Sequence, residues 1–307
     1  RTEETMSYSL GEFHEFLGQD SHVNIDRLRE AAPFGIPKEV RGEVWKYLLR
    51  VASTEKLKDS ENTKHQRSEY KSLLKRSQNE RNKLISENLV SIDSVRRDIK
   101  AYRSDVEFFR RRETQFRIED LIMVYLSSYP YLKHSSRLVH LVGPFVYTFP
   151  QNFEAFLCWK QTISFIEHYI DSFKGIKFLL SRFLMLCRTF DDELMTYMVE
   201  EELSPNDWAL PWLQNLLSAE LPLDCTVRLW DTYFSCQEGI ELHVYVCIAI
   251  LRECKEKLME CEYSELKLLL RNLPEVHIDQ IIMQAYNIRE EAISAGLLSY
   301  GFDDKVS

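Results

Sequence analysis

Residues 204–235 constrain the fold more than any other part of the chain. They read Ser-Pro-Asn-Asp-Trp-Ala-Leu-Pro-Trp-Leu-Gln-Asn-Leu-Leu, then Glu220-Leu-Pro-Leu223, then Arg228-Leu-Trp-Asp-Thr-Tyr-Phe-Ser235. Ser204 offers the side-chain oxygen of a helix N-cap, and Pro205 suits a first turn where its missing N–H costs nothing. Asp207 lies near the positive helix end. Pro211 sits deeper and is expected to bend the helix, since an interior proline costs about 3 kcal/mol. Glu220-Leu-Pro-Leu223 is expected to end this helix and start the next. Two helix starts, three tryptophans and a Leu-Pro break place this stretch at the centre of a helical domain.

The rest of the chain extends that pattern. Residues 10–17 and 25–32 read as short helices, and 34–37 as a turn before a third. There Val40, Val44, Tyr47, Leu48 and Val51 recur at helical steps, with Trp45 beside the stripe. Residues 53–68 are polar and lack a period, so they are expected to form an exposed connection. Over 69–90 a partly solvated helix is expected, anchored by Leu73, Leu74, Leu84 and Ile85.

Ile118, Leu121, Ile122, Tyr125 and Tyr129 form one stripe, stopped by Pro130. Residues 138–149 are almost continuously apolar and suit a buried helix, being too short to span a bilayer. Helices are also expected over 153–173, 176–190, 242–258, 263–273 and 278–293. Nine glycines and nine prolines in 307 residues are too few for a fold rich in tight turns. The fold class is all-α, with no repeat of fixed length.

A formal charge of −9 argues against nucleic acid as a partner. The seven cysteines (158, 187, 225, 236, 247, 254 and 261) form no C-x-x-C pair and are expected as reduced thiols, mostly in the core of an intracellular protein. No Walker A loop, GxGxxG, HExxH, GxSxG or zinc spacing occurs, so neither cofactor nor metal is expected. His243 and His277 read as helix-surface or core residues. The chain starts at Arg1, without a signal-peptide pattern, so flanking segments are expected.

Arg96, Arg97, Lys100, Arg103, Arg110, Arg111 and Arg112 make a basic run around Phe108 and Phe109. It is either a solvated face over two core aromatics or an edge turned to phosphate or to an acidic partner.

Gly35-Ile-Pro37 with Arg41 and Val44-Trp45-x-x-Leu48 resembles the first signature of the TBC domain of Rab GTPase-activating proteins. Gly143-Pro-Phe-Val-Tyr147 is similar to the apolar helix after that family's glutamine motif. Trp208-Ala-Leu-Pro211-Trp212-Leu213, Leu221-Pro222-Leu223 and Arg228-Leu-Trp230-Asp231 resemble its later signatures, and Leu270-x-x-Leu-Pro274 its closing helices. The resemblance spans residues 34–293 in order. It implies a two-lobed helical TBC domain with lobes over about 34–150 and 151–293, a helical extension over 1–33 and a tail over 294–307.

The family's chemistry places two fingers in a GTPase's nucleotide site. An arginine from I-x-x-D-x-x-R neutralises charge on the transferred phosphate, and a glutamine from Y-x-Q orients water. Here Val95-Arg-Arg-Asp98-Ile-Lys-Ala101 ends on alanine, and His134-Ser-Ser136 stands where Y-x-Q belongs. Arg137, Leu138 and Val139 replace the following Gly-Met-Asn. Neither catalytic finger is intact.

The resemblance therefore implies a cytoplasmic pseudo-activator that binds a Rab-type small GTPase or an assembly partner as a scaffold in vesicle trafficking, with peripheral membrane association as an option. The candidate GTPase-facing residues are Arg96, Arg97, Asp98, Lys100, Arg103, His134 and Arg137. Two alternatives stay open: an active enzyme using Arg103 as a displaced finger, and a helical assembly module unrelated to GTPases.

Overall fold

The fold is known from a computed structural model that describes residues 7–18, 21–86, 91–236 and 239–297. Among them there is no β-strand, and the all-α expectation holds. The chain divides into two compact units, one ending at Thr162 and one starting at Ile163.

The first unit contains α1 (Leu10–Gly18), α2 (Ile25–Ala31), α3 (Lys38–Leu48), α4 (Lys56–Ser86), α5 (Ile92–Ala101), α6 (Glu107–Arg110), α7 (Arg112–Ser128) and α8 (Ser136–Thr148). The division falls within α9 (Asn152–Ser172). Gly35, at φ 100°, turns the chain ahead of α3, a conformation that costs least without a β-carbon. Arg41 then donates to the carbonyl of Ile36 at 2.8 Å and holds the turn against the helix. Trp45 is fully buried, edge-on to Phe145 of α8 at 5.7 Å.

Helix α7 carries the core of this unit through Ile118, Leu121, Ile122 and Tyr125, all buried. Its Arg117 donates to the carbonyl of Phe149 at 2.6 Å and to Asn152 Oδ1 at 2.7 Å, satisfying acceptors at the end of α8 and the start of α9.

Residues 56–68 are helical, not an exposed connection. The helix has a period, but polar side chains keep it. Asp59 accepts from the N–H of Ser53 at 3.0 Å, and Asn62 and Gln66 donate to the carbonyl of Val51 at 3.3 and 2.8 Å. Tyr70, Ser77 and Arg81 continue that face at helical steps, with Tyr70 and Ser77 buried. The expected anchors Leu73, Leu74 and Ile85 are only half-buried. The side chain of Leu84 and residues 87–90 lie outside the described residues.

The second unit contains α10 (Ile176–Phe190), α11 (Asp192–Glu200), α12 (Pro205–Asn215), α13 (Leu223–Ser235), α14 (His243–Glu253), α15 (Lys255–Met259), α16 (Tyr263–Arg271) and α17 (Ile278–Ser294). Ser204 caps α12, accepting from the N–H of Asn206 at 3.3 Å, and Pro211 lies inside the helix. The rings of Trp208 and Trp212 meet edge-on at 5.4 Å. The Trp212 indole donates to the carbonyl of Leu270 at 2.9 Å, and that of Trp230 to Leu216 at 3.1 Å.

His243 proves to be a core residue, fully buried. Its Nε2 faces the carbonyl of Trp212 at 2.8 Å and must donate. Nδ1 therefore accepts from the hydroxyl of Tyr233 at 2.7 Å. Arg228 forms an ion pair with Asp279 at 2.6 Å, and Asp231 is fully buried.

Three expectations need correction in this unit. Helix α12 ends at Asn215, before Glu220, because Leu216 and Leu217 adopt left-handed conformations at φ 49° and 60°. Both leucine side chains are buried there, and the Leu216 carbonyl is turned to the indole of Trp230. The helix expected over 242–258 is broken at Cys254, separating α14 from α15. Just past the break, the Lys255 ammonium sits 2.9 Å from Asp191 and 2.7 Å from Glu193. Helix α11 was not expected; Asp191 caps it, accepting from the N–H of Leu194 at 3.1 Å.

Candidate functional site

The two motif-bearing segments meet in the first unit. Helix α5 starts at Ser91, whose hydroxyl accepts from the N–H of Ser94 at 3.3 Å. Val95 and Ile99, one turn apart, are buried, so Arg96, Arg97 and Lys100 are turned outward. The helix stops at Ala101 because Tyr102 is extended and Arg103 left-handed at φ 42°. Helix α8 opens at Ser136 without a side-chain cap.

Asp98, one turn before the end of α5, lies 2.8 Å from Nε2 of His134 through Oδ2. The His134 side chain is 6% exposed, and its Nδ1 has no hydrogen-bond partner among the described residues. This pair ties α5 to the segment entering α8. Behind it Tyr102 is buried, 5.8 Å from the ring of His140 and edge-on to Phe109 at 4.9 Å. Burial pushes the His140 pKa down to about 4; the Asp98 carboxylate opposes this shift and the Arg103 guanidinium adds to it.

Tyr102 reaches this position because Gly143 lacks a side chain. A β-carbon at Gly143 would overlap the tyrosine ring.

Ala101 is three residues past Asp98 and Ser136 two past His134, both exposed. The structure thus brings together the segments on which the fingers are expected and presents there a methyl group and a short hydroxyl. A methyl group cannot neutralise phosphate charge. A serine lacks the reach and the paired donor and acceptor of a glutamine amide.

Arg103 donates through Nε to the hydroxyl of Tyr102 at 3.2 Å, with its guanidinium 5.5 Å from the tyrosine ring centroid. Arg96 is turned away to α7, where Nε lies 2.8 Å from Oε2 of Glu119. Arg97 and Lys100 are exposed, and Arg137 is half-buried. Of the candidate residues, Asp98, His134 and Arg103 gather at one place; Arg96 belongs to another.

Tyr102, His140 and Glu119 were not singled out from the sequence, and Gly143 was read only as part of a family signature. Glu119 did carry a signal, a carboxylate beside Ile118 at the edge of the apolar run of α7. Tyr102 and His140 carried none, and the place of the Tyr102 ring depends on the missing side chain of Gly143.

Among the described residues, no three or more His, Cys, Asp or Glu side chains gather to hold a metal ion. No described helix is long and apolar enough to cross a membrane.

This helical arrangement is a Rab-GAP fold. It matches the crystal structure of the Ypt/Rab-GAP domain of Gyp1p with a TM-score of 0.79, covering 92% of this chain and 98% of that one at 20% identity. It also matches the Chlamydomonas flagellar RabGAP TBC domain at 0.68, with 15% identity over 90% of this chain and 89% of that one.

A family model, the Rab-GTPase-TBC domain, matches residues 38–259, and the chain belongs to that family. It is 26% identical to human TBC1 domain family member 22B over 313 residues, covering 91% of this chain and 61% of the relative. Identity to the GTPase-activating protein gyp1 of Schizosaccharomyces pombe is 24% over 281 residues, covering 82% and 54%. The chain thus spans between about half and three-fifths of the length of these curated relatives.

Proposed function

We propose that this TBC-family chain binds a Rab-type small GTPase and acts as a scaffold or adaptor in membrane trafficking, without conventional two-finger stimulation of GTP hydrolysis. The observation that carries the reading is the end of α5. The Asp98–His134 pair holds the two finger segments together, and the residue in the arginine position is Ala101. Family membership supports the choice of GTPase class. The working location is the cytoplasm, with peripheral attachment to endomembranes.

The test is binding to a panel of nucleotide-loaded Rab proteins, with single-turnover GTP hydrolysis on the same samples. Binding without acceleration is expected. Acceleration above about tenfold would overturn the non-catalytic reading, given that an arginine finger is worth about 10³–10⁵. Failure to bind any member would leave a helical assembly module.

A second reading draws on the left-handed backbone of Arg103. A non-glycine residue held there is strained, and a rearranged turn relieves the strain while freeing the guanidinium from Tyr102. On that reading Arg103→Ala abolishes any hydrolysis the wild type stimulates.

A further inference from the structure

A groove of about 420 Å³ runs between α5 and α7, on the side of α5 that bears Arg96 and Lys100. Its α5 wall is Arg96, Ile99 and Lys100; its α7 wall includes Arg112, Phe116 and Glu119. The helices run antiparallel here, because from the Arg96–Glu119 pair the groove lining runs forward along α5 to Lys100 and back along α7 through Phe116 to Arg112. Lys100 and Arg112 therefore share the opposite end.

The two ends differ in charge. At one, the nearly buried Glu119 carboxylate is held by Arg96 and, from α4, by Arg81. Those charges are already answered. At the other end, Lys100 and Arg112 are exposed and have no carboxylate partner among the described residues. Between the ends, Ile99 lies buried and Phe116 is 55% exposed. The sequence of surfaces along the groove is two free cations, an apolar floor with an uncovered aromatic ring, and a carboxylate held between two guanidiniums.

We propose that this groove is a docking site for an acidic linear segment of a partner protein. One or two carboxylates of the segment pair with Lys100 and Arg112, and one large apolar side chain covers Phe116 over Ile99. Charge complementarity sets the sign of the partner, and the apolar middle sets its class. A free phosphate or a phosphorylated headgroup would use the cations but leave Phe116 uncovered, with the Glu119 carboxylate at the far end of the groove. A peptide uses both, and a volume of this size takes one or two side chains. The inference does not depend on the GTPase reading, since the groove is defined by residues other than the two finger positions.

The test is fluorescence polarisation of the full chain, without any GTPase, against labelled octapeptides made of Asp and Glu around one central Phe, Leu or Trp. Binding is expected in low salt. It should weaken about tenfold or more in Lys100→Glu/Arg112→Glu and in Phe116→Ala. It should weaken similarly when the central residue is alanine or when the acids become amides.

All three altered residues are exposed, and thermal melts confirm that the variants fold. Vesicles containing phosphatidylserine and inorganic phosphate serve as the other arms. Three results would each overturn the proposal: affinity unchanged in the variants, affinity indifferent to the central side chain, or capture of vesicles through Lys100 and Arg112 with no peptide binding. Loss of Rab binding elsewhere leaves this experiment unaffected.

Discussion

The ring of Tyr102 occupies the space that a β-carbon on Gly143 would fill, so the end of α5 and the middle of α8 are fitted to each other by an absent side chain. Gly143→Ala is expected to lower stability by about 1–3 kcal/mol, the cost of forcing a methyl group into a packed core. The loss should shrink in a Tyr102→Ala background, because the overlap disappears with the ring. Denaturant unfolding of the four proteins of this double-mutant cycle measures the coupling, and additive effects would refute the contact.

Glu119 is the buried acid in the first unit on which two guanidiniums converge. Glu119→Ala strands Arg81, itself largely buried, and is expected to cost about 3 kcal/mol, near the lower end for breaking a buried pair. Arg27→Ala removes one partner of the exposed Arg27–Glu30 pair and should cost about 1 kcal/mol or less. Chemical denaturation of both variants checks the ranking.

The histidines set a pH limit. Burial lowers the pKa of both His140 and His243 to about 4. Between that value and the ordinary 6.5, the unfolded chain binds protons that the folded chain does not. Stability therefore falls as the pH drops from about 6.5 towards 4, then levels off for these two groups. In the folded protein, two imidazoles should stay neutral at pH 5, a state read from histidine ring shifts in NMR titration. Midpoints near 6.5 for all eight histidines would contradict it.

On the proposed reading that both fingers are missing, placing them at Ala101 and Ser136 tests the geometry directly. Ala101→Arg/Ser136→Gln should turn a bound GTPase into a stimulated one, approaching the factor of about 10³–10⁵ attributed to a finger arginine only if both segments stand in productive positions. Either single substitution should give less. A double variant that binds and yet stimulates nothing would place the deficiency in the segments, beyond the two side chains.

Apolar side chains made most of the fold legible. The stripe of α7, the apolar run of α8 and the tryptophan motifs of α12 and α13 announced their helices, because hydrophobic period is what sequence reading detects best. Helix α4 escaped at its start because Asp59, Asn62 and Gln66 keep the period with hydrogen-bonding groups. The break at Cys254 escaped because no glycine or proline marks it. At the site, motif spacing put the expected finger positions at Ala101 and Ser136, close in sequence to Asp98 and His134. The Asp98–His134 pair itself was not legible, since its partners are 36 residues apart and meet only when α5 and α8 pack.

The polar face of α4 has a consequence for how the first unit comes apart. Towards its N-terminus, side chains on the Val51 carbonyl and the Ser53 N–H hold the helix, and water replaces each of those bonds at little loss when the helix lifts. Further along, Tyr70 is packed against Phe156 and Arg81 is bound to Glu119, and neither interaction has a ready substitute in solvent. The helix should therefore peel from its N-terminal end, with the amides of its first three turns exchanging deuterium well before those near Arg81, while α7 and α8 stay protected until the unit unfolds.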